Sequence, residues 1–262
     1  MTGATPSLGV EVATREVTPP MLQYVVTGLI PITDLGRLAY EPAFAAQQVA
    51  HARVLAARER GAAAIGELLL VEHDPVVTIS NRAGVEANLL ATPALLERHG
   101  VVVARTDRGG DITYHGPGQL VAYPILDLNV LNLGLHEYMR LLEESVIRTC
   151  AHFGVATMRD PTATGVWTVR DGMPLAKIAA MGVRVRRWVS MHGLALNVAT
   201  NLEHFNLIVP CGLVGRPVTS LQRELGGGAP TFIQAREAFV PIFTDLLDDA
   251  FRTATHRRAM SQ

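Results

Sequence analysis

Cysteine is nearly missing from this chain: two in 262 residues exclude a disulfide framework and fit a reducing compartment. Neither sign of charge is in surplus, with Lys+Arg at 23 against Asp+Glu at 24. No global basic field therefore exists to hold nucleic acid or an anionic membrane, and a charged partner must be met by a local patch. Long hydrophobic runs are absent too. The richest, Leu68 to Val71, is bounded by Glu67 and Glu72, far short of the roughly 20 apolar residues of a membrane helix. The first 20 residues end in Thr18-Pro19-Pro20 and lack the apolar centre of a signal peptide. They carry Glu11 and Glu16 against a single arginine, unlike a mitochondrial presequence. Residues 1–20 read as a loose tail, residues 21–262 as one domain, and the protein as cytoplasmic. There is no internal repeat and no low-complexity segment. What is present is ample apolar content, 48 % hydrophobic against 18 % charged, enough to exclude a disordered chain.

Apolar spacing predicts a helix over about 43–60, with Ala45, Val49, Ala52 and Ala56 on one face and Gly61 as its stop. Strands follow at Leu68–Val71 and Val76–Ile79 around a His73-Asp74-Pro75 turn. Their unbroken apolarity predicts a sheet covered on both faces. Further strands are expected at Val101–Ala104 and Leu120–Ile125, and a helix from about His136 to Phe153 that stops at Gly154. Val166–Val169 and Leu175–Ala180 flank Asp171-Gly172, a hairpin signal. Val183 and Val185, then Leu194, Leu196 and Val198, alternate as strands do. Gly226-Gly227-Gly228 is the best linker candidate. Beyond it Thr231 and Gln234 form a capping-box pattern opening a last helix, which Pro241 should kink or split. This order predicts an α+β (mixed α/β) fold of mixed β-sheets with packed outer helices.

Cys211 follows an apolar strand and a proline and precedes Gly212, so its sulfur is expected at a turn. It reads as a nucleophile or as a small buried apolar residue. Cys150 lies mid-helix with Val146 and Phe153 at helical spacing and reads as core. Lys177 stands alone in Pro174-Leu175-Ala176-Lys177-Ile178-Ala179-Ala180. Lost hydration would favour its neutral amine and suit it to base chemistry; alternatively its stem lies on the sheet and its ammonium reaches water. The densest irregular segment, Arg108-Gly109-Gly110-Asp111-Ile112-Thr113-Tyr114-His115-Gly116-Pro117-Gly118-Gln119, is either a ligand-approaching loop or a glycine-bent hairpin. It is not a GxxxxGK[ST] phosphate loop. Tyr114 and His115 should face opposite sides of a strand. Ser190 and His192 share a strand face, but no G-x-S-x-G elbow surrounds the serine, and His192 fits packing better than base chemistry. The nine histidines show no HxxxH and the cysteines no CxxC, so no metal site is expected. Arg184, Arg186, Arg187 and Arg216 read as solvated faces.

Four motifs in order, R-G-G-D-I-T-Y-H-G-P-G-Q-L at 108–120, A-K-I-A-A-M-G-V-R at 176–184, H-G-L-A-L-N-V at 192–198 and P-C-G at 210–212, resemble the lipoyl(octanoyl) transferases. The likeness spans roughly residues 65 to 225. It implies the fold of the lipoate–protein and biotin–protein ligase catalytic domain and a single catalytic acyltransferase domain. It places the acyl-thioester cysteine on Cys211 and the lysine that lowers its pKa on Lys177. It places substrate-binding stretches on Arg108 through His115, on Ala180-Met181-Gly182 and on Gly193-Leu194-Ala195. The one departure is Ser80-Asn81-Arg82, where the family more often has glycine before the basic residue.

The resemblance further implies that an octanoyl group passes from octanoyl-acyl carrier protein to a lysine of lipoyl domains. Those acceptors would belong to 2-oxoacid dehydrogenase complexes and the glycine-cleavage carrier protein, and no cofactor is required. Backbone N–H groups near Gly193-Leu194-Ala195 or Gly109-Gly110 are candidate oxyanion donors. Three other readings remain at this point. An ATP-dependent ligase would not need Cys211. A thiol hydrolase would pair Cys211 with His192 or His115, and a non-catalytic acyl or lipoyl-domain binder would be indifferent to loss of Lys177.

Overall fold

A computed structural model describes residues 23–27, 29–62, 64–209 and 216–260. The expected tail, 1–20, and Cys211 with its Pro210 and Gly212 neighbours lie outside the described residues.

An eight-stranded mixed sheet forms the centre. Its strands are β1 (Gln23–Thr27), β2 (Ile30–Leu38), β3 (Gly66–His73), β7 (Gln119–Leu126), β11 (Val189–Asn197), β10 (Met173–Arg186), β9 (Val166–Arg170) and β8 (Thr157–Arg159), in that spatial order. Only the β2–β3 pair is parallel. Because side chains alternate along a strand, β3 sends Leu68 and Leu70 to one face and Leu69 and Val71 to the other. Likewise β7 sends Leu120, Ala122 and Leu126 one way and Val121, Tyr123 and Ile125 the other. Helices cover both faces, which is why these strands read as unbroken apolar runs. On the first face lie α3 (Leu128–Leu131), α4 (Leu135–His152) and α6 (Phe232–Met260), on the second α1 (Tyr40–Glu59). Cys150 sits within the α4 side of this core, fully buried, and burial pushes its thiol up to about 12.

A second, three-stranded sheet is ordered β5 (Val102–Thr106), β4 (Val76–Ser80), β6 (Ile112–His115). Thus β3 and β4, adjacent in sequence around Asp74-Pro75, belong to different sheets. Two further short helices are α2 (Pro93–Arg98) and α5 (Leu221–Leu225).

Local signals are realised closely. Asp171 and Gly172 adopt φ of 52° and 75° at the β9–β10 turn, the paired left-handed conformation of a tight hairpin. Thr231 N–H donates to Gln234 Oε1 (2.9 Å) and Gln234 N–H to Thr231 Oγ1 (3.2 Å), a reciprocal cap for α6. Two expectations change. Residues 173–186 form one long strand rather than two. Pro241 does not split α6: it lies on the exposed face with Glu237, so the carbonyl its ring leaves unbonded is open to water. The triple glycine 226–228 is a single 3₁₀ turn joining α5 to α6.

Candidate active site

The two sheets meet at a pocket. The small sheet contributes Thr113 and His115 from β6 and, just ahead of it, Arg108. The large sheet contributes Val121 and Tyr123 from β7, Ala180, Met181 and Gly182 from β10, and His192 through Ala195 from β11. Tyr40, first residue of α1, closes the set. The space measures about 430 Å³ including its open mouth, and its lining is more apolar than polar. Three of the sequence motifs, at 108–120, 176–184 and 192–198, thus converge on one cavity.

Alternation along β6 decides which motif residues reach it. Thr113 and His115 face the pocket, while Ile112 and Tyr114 face the opposite way into the core under the small sheet. Tyr114 Oη there meets His204 Nδ1 at 2.7 Å, and burial raises its hydroxyl to about 12. Asp111 pairs with Arg82 at 3.0 Å, and neither lines the cavity. Gly109 and Gly110 also stay out of the lining. Gly109 instead crosses β10, its N–H donating to Val183 O at 2.9 Å. That crossing explains Gly182: a Cβ there would stand 2.7 Å from Gly109 O. It also changes the expectation for an oxyanion donor, since the Gly109 amide is already engaged. Gly193-Leu194-Ala195 lie mid-strand in β11, between β10 and β7.

Behind the lining is a buried polar network that the sequence analysis did not find. His73 Nδ1 lies 3.0 Å from Leu38 O, which can only accept, so Nδ1 carries the proton and Nε2 accepts from Tyr123 Oη at 2.7 Å. His115 Nδ1 donates to Gln119 Oε1 (2.7 Å), and Gln119 Nε2 donates onward to Asn197 Oδ1 (2.9 Å). Burial lowers His73 to about 4 and His115 to about 3, so both rings are neutral near pH 7. The His115 ring therefore keeps a bare Nε2. Tyr40 Oη donates to Thr106 Oγ1 at 2.7 Å, and desolvation raises its pKa. His192 hydrogen-bonds through Nε2 to Asp107 Oδ1, and its ring stacks on Phe44 at 5.5 Å. Burial lowers His192 in spite of that carboxylate. Tyr40, His73 and Tyr123 come from three separate elements and share no local pattern.

Ser190 and His192 do not form a hydrolase pair. Ser190 Oγ accepts from Leu126 N–H (2.9 Å) and donates to Pro124 O (2.8 Å), so its hydroxyl is fixed to the β7 backbone. Arg216 and Arg184 are not simply solvated, since Arg216 pairs with buried Asp160 and Arg184 with Asp107.

Lys177 is not in the pocket lining. It lies on β10 three residues before Ala180, with Nζ 4.8 Å from the Trp167 ring centre. Its N–H donates to Pro217 O and its carbonyl accepts from Thr219 N–H, both at 2.9 Å. Lys177 is thereby tied to the stretch that begins six residues after Cys211.

Residues 39–244 match the family described as the lipoyl protein ligase A/B catalytic domain. An octanoyltransferase of Koribacter versatilis is 47 % identical over 200 residues, covering 76 % of each chain. One of Geobacter metallireducens is 45 % identical over 218 residues, covering 83 % of this chain and 93 % of the relative. The chain belongs to the octanoyltransferase family. Among solved structures, a bipartite lipoate protein ligase studied with its E2 lipoyl domain from Thermoplasma acidophilum superposes with a TM-score of 0.57. It is 17 % identical and covers 84 % of this chain and 90 % of that one. A lipoate-protein ligase A bound with ATP gives 0.56 at 17 % identity, over 73 % and 80 % of the two chains. These structures establish that the octanoyltransferase shares the lipoate ligase fold, and the octanoyltransferase relatives make it an acyltransferase.

Proposed function

We propose that this acyltransferase moves an octanoyl group from octanoyl-acyl carrier protein to a lysine of a lipoyl domain, through an acyl-thioester on Cys211. The thiolate of Cys211 attacks the donor thioester carbonyl; the new C–S bond forms as the old one breaks, and the carrier sulfur leaves as a thiol with a proton taken from the Lys177 ammonium, which becomes a neutral amine. The acceptor lysine then attacks the acyl-enzyme as a neutral amine. A C–N bond forms, the Cys211 sulfur leaves, and the amine proton passes to Lys177. The first step exchanges one thioester for another and is nearly balanced; the second makes an amide and drives turnover without ATP.

The observation that carries this reading is the bridge between Lys177 and Val218. Cys211 lies six residues before Pro217, so covalent connection alone keeps it within about 22 Å of the carbonyl that receives the Lys177 amide. An ordinary cysteine is only a few per cent thiolate at neutral pH, and an adjacent ammonium raises that fraction. The apolar lining from Val121, Met181, Leu194 and Ala195 suits an acyl chain. Burying six methylenes at about 0.8 kcal/mol each supplies about 5 kcal/mol, whereas one methylene discriminates by only about 1–3 kcal/mol. The pocket is thus expected to prefer octanoyl and tolerate near neighbours.

The test is to mix the protein with octanoyl-acyl carrier protein, omit acceptor and ATP, and weigh it. A gain of one octanoyl group, absent in Cys211→Ala, is expected. No adduct, or full activity of Cys211→Ala in the presence of ATP, would replace the transferase with a ligase. Release of free octanoate at the same rate with and without a lipoyl domain would replace it with a hydrolase.

A further inference from the structure

Trp167 is wholly buried, yet two cations lie on it. The Arg216 guanidinium carbon is 3.7 Å from the ring centre and Lys177 Nζ is 4.8 Å away, both inside the range of a cation–π contact. The indole is fixed by its Nε1–H, which donates to Ala163 O at 3.3 Å. Lys177 and Trp167 are register partners across β10 and β9. Room for the lysine stem comes from Gly165, where a Cβ would stand 2.7 Å from Ala179 O and 3.2 Å from Lys177 Cε. Arg216 is held from behind by Asp160 Oδ2 at 2.5 Å. Asp160 also accepts from the N–H and the hydroxyl of Thr162, each at 2.7 Å, and these bonds together with Arg216 hold its carboxyl down at about 2. Simple core packing would be met by a ring with apolar neighbours and does not call for two positive groups.

We propose that Trp167 is the positioning residue of Lys177 in acyl transfer, its indole seating the lysine Nζ while Arg216, anchored by Asp160, keeps a second positive charge on the same ring. The inference rests on the reading of Lys177 as the group that receives the amine proton. Trp167 touches neither acyl group nor acceptor; it acts through the lysine.

The full chain is compared with Trp167→Phe, Arg216→Gln, Arg216→Lys and Asp160→Asn. Loss of the seat should lower kcat for octanoyl transfer about 10-fold in Trp167→Phe and Arg216→Gln while KM for the donor stays within about two-fold. Arg216→Lys, which restores a cation, should recover part of the loss. Trp188 is the chain's other tryptophan, so a Trp188→Phe background leaves Trp167 as the sole emitter. In that background Lys177→Met should shift the Trp167 emission, because the ring loses a neighbouring charge. Wild-type kcat in Arg216→Gln and Trp167→Phe, with transfer abolished by Lys177→Met, would overturn the positioning role alone. Unchanged emission on Lys177→Met would overturn the contact itself. Full activity of Lys177→Met with shifted emission would overturn the role of the lysine and leave the contact standing.

Discussion

His192 donates from Nε2 to Asp107 Oδ1 over 2.8 Å while its own backbone stands in the left-handed region at φ 58°. The hydrogen bond from His192 is the first cause holding the Asp107 carboxyl below its usual range, and Arg184 pairs with the same carboxylate. The ring is 2 % exposed while Asp107 keeps 29 % of its side chain in contact with solvent, so water can take only part of the carboxylate's place. Asp107→Ala should therefore destabilise the fold by about 1–3 kcal/mol, the cost of a buried donor left unsatisfied. Asp107→Asn should cost less, because its amide oxygen still accepts. Urea midpoints of the two variants check this, and equal midpoints for Asp107→Ala and wild type would refute it.

Acid should unfold the protein through its buried neutral histidines. The sign follows from their direction: His73 is lowered to about 4 and His115 to about 3, both below the ordinary 6.5 of the unfolded chain. Between those values the unfolded state binds more protons than the folded one, so stability falls as pH drops below about 6.5, to about pH 4 through His73 and on to about pH 3 through His115. Two such groups set a slope of up to about 2.7 kcal/mol per pH unit. Thermal midpoints measured from pH 7 to pH 4 should decline accordingly. His73→Asn, although less stable at pH 7, should show a shallower decline; an unchanged slope would remove His73 from the account.

The α6 cap gives a prediction confined to stability. Thr231 and Gln234 exchange hydrogen bonds at the exposed start of a helix whose Ala235, Phe239 and Phe243 pack on the sheet. Thr231→Ala should cost about 1 kcal/mol. Octanoyl transfer at 25 °C should be unchanged, since no α6 residue lines the pocket. A drop in kcat at full folding would mean that α6 communicates with the site.

Which parts were legible in sequence follows from the range of the interaction. The cap at Thr231, the turn at Asp171-Gly172 and the double-faced strands β3 and β7 are written within a few residues, and the structure contains them as read. Three pocket stretches were legible as motifs because close backbone crossings demand glycine at fixed places. The alternation of β6 was anticipated for Tyr114 and His115 and also separates Thr113 from Ile112. The network of Tyr40, His73 and Tyr123 was not legible, since each is an ordinary aromatic in its own element and only the crossing of two sheets joins them. The role of Arg216 was hidden for the same reason: its partners Asp160 and Trp167 lie about 50 residues upstream.

Gly182 offers the sharpest test of the pocket wall. A methyl group placed there would come within 2.7 Å of Gly109 O and 3.1 Å of Arg108 Cδ, and the nearer atom is backbone. At Gly182 the strand β10 is paired with Gly193 of β11, so the partly exposed 108–110 segment on its other side is the part that must move. Its movement would stretch the Gly109 N–H to Val183 O bond and draw Arg108 away from Thr78, whose carbonyl and hydroxyl both accept from Nη2 at 2.9 Å. Overpacking of this kind costs about 1–3 kcal/mol, and a comparable loss in octanoyl-transfer kcat/KM would be about 5- to 150-fold. Gly227→Ala is the control, because nothing lies within 4 Å of its Cβ position. Thermal melts and steady-state rates of the two variants should separate clearly. If Gly182→Ala melts and turns over like the wild type, the Arg108–Gly110 segment is not a fixed wall of the acyl site.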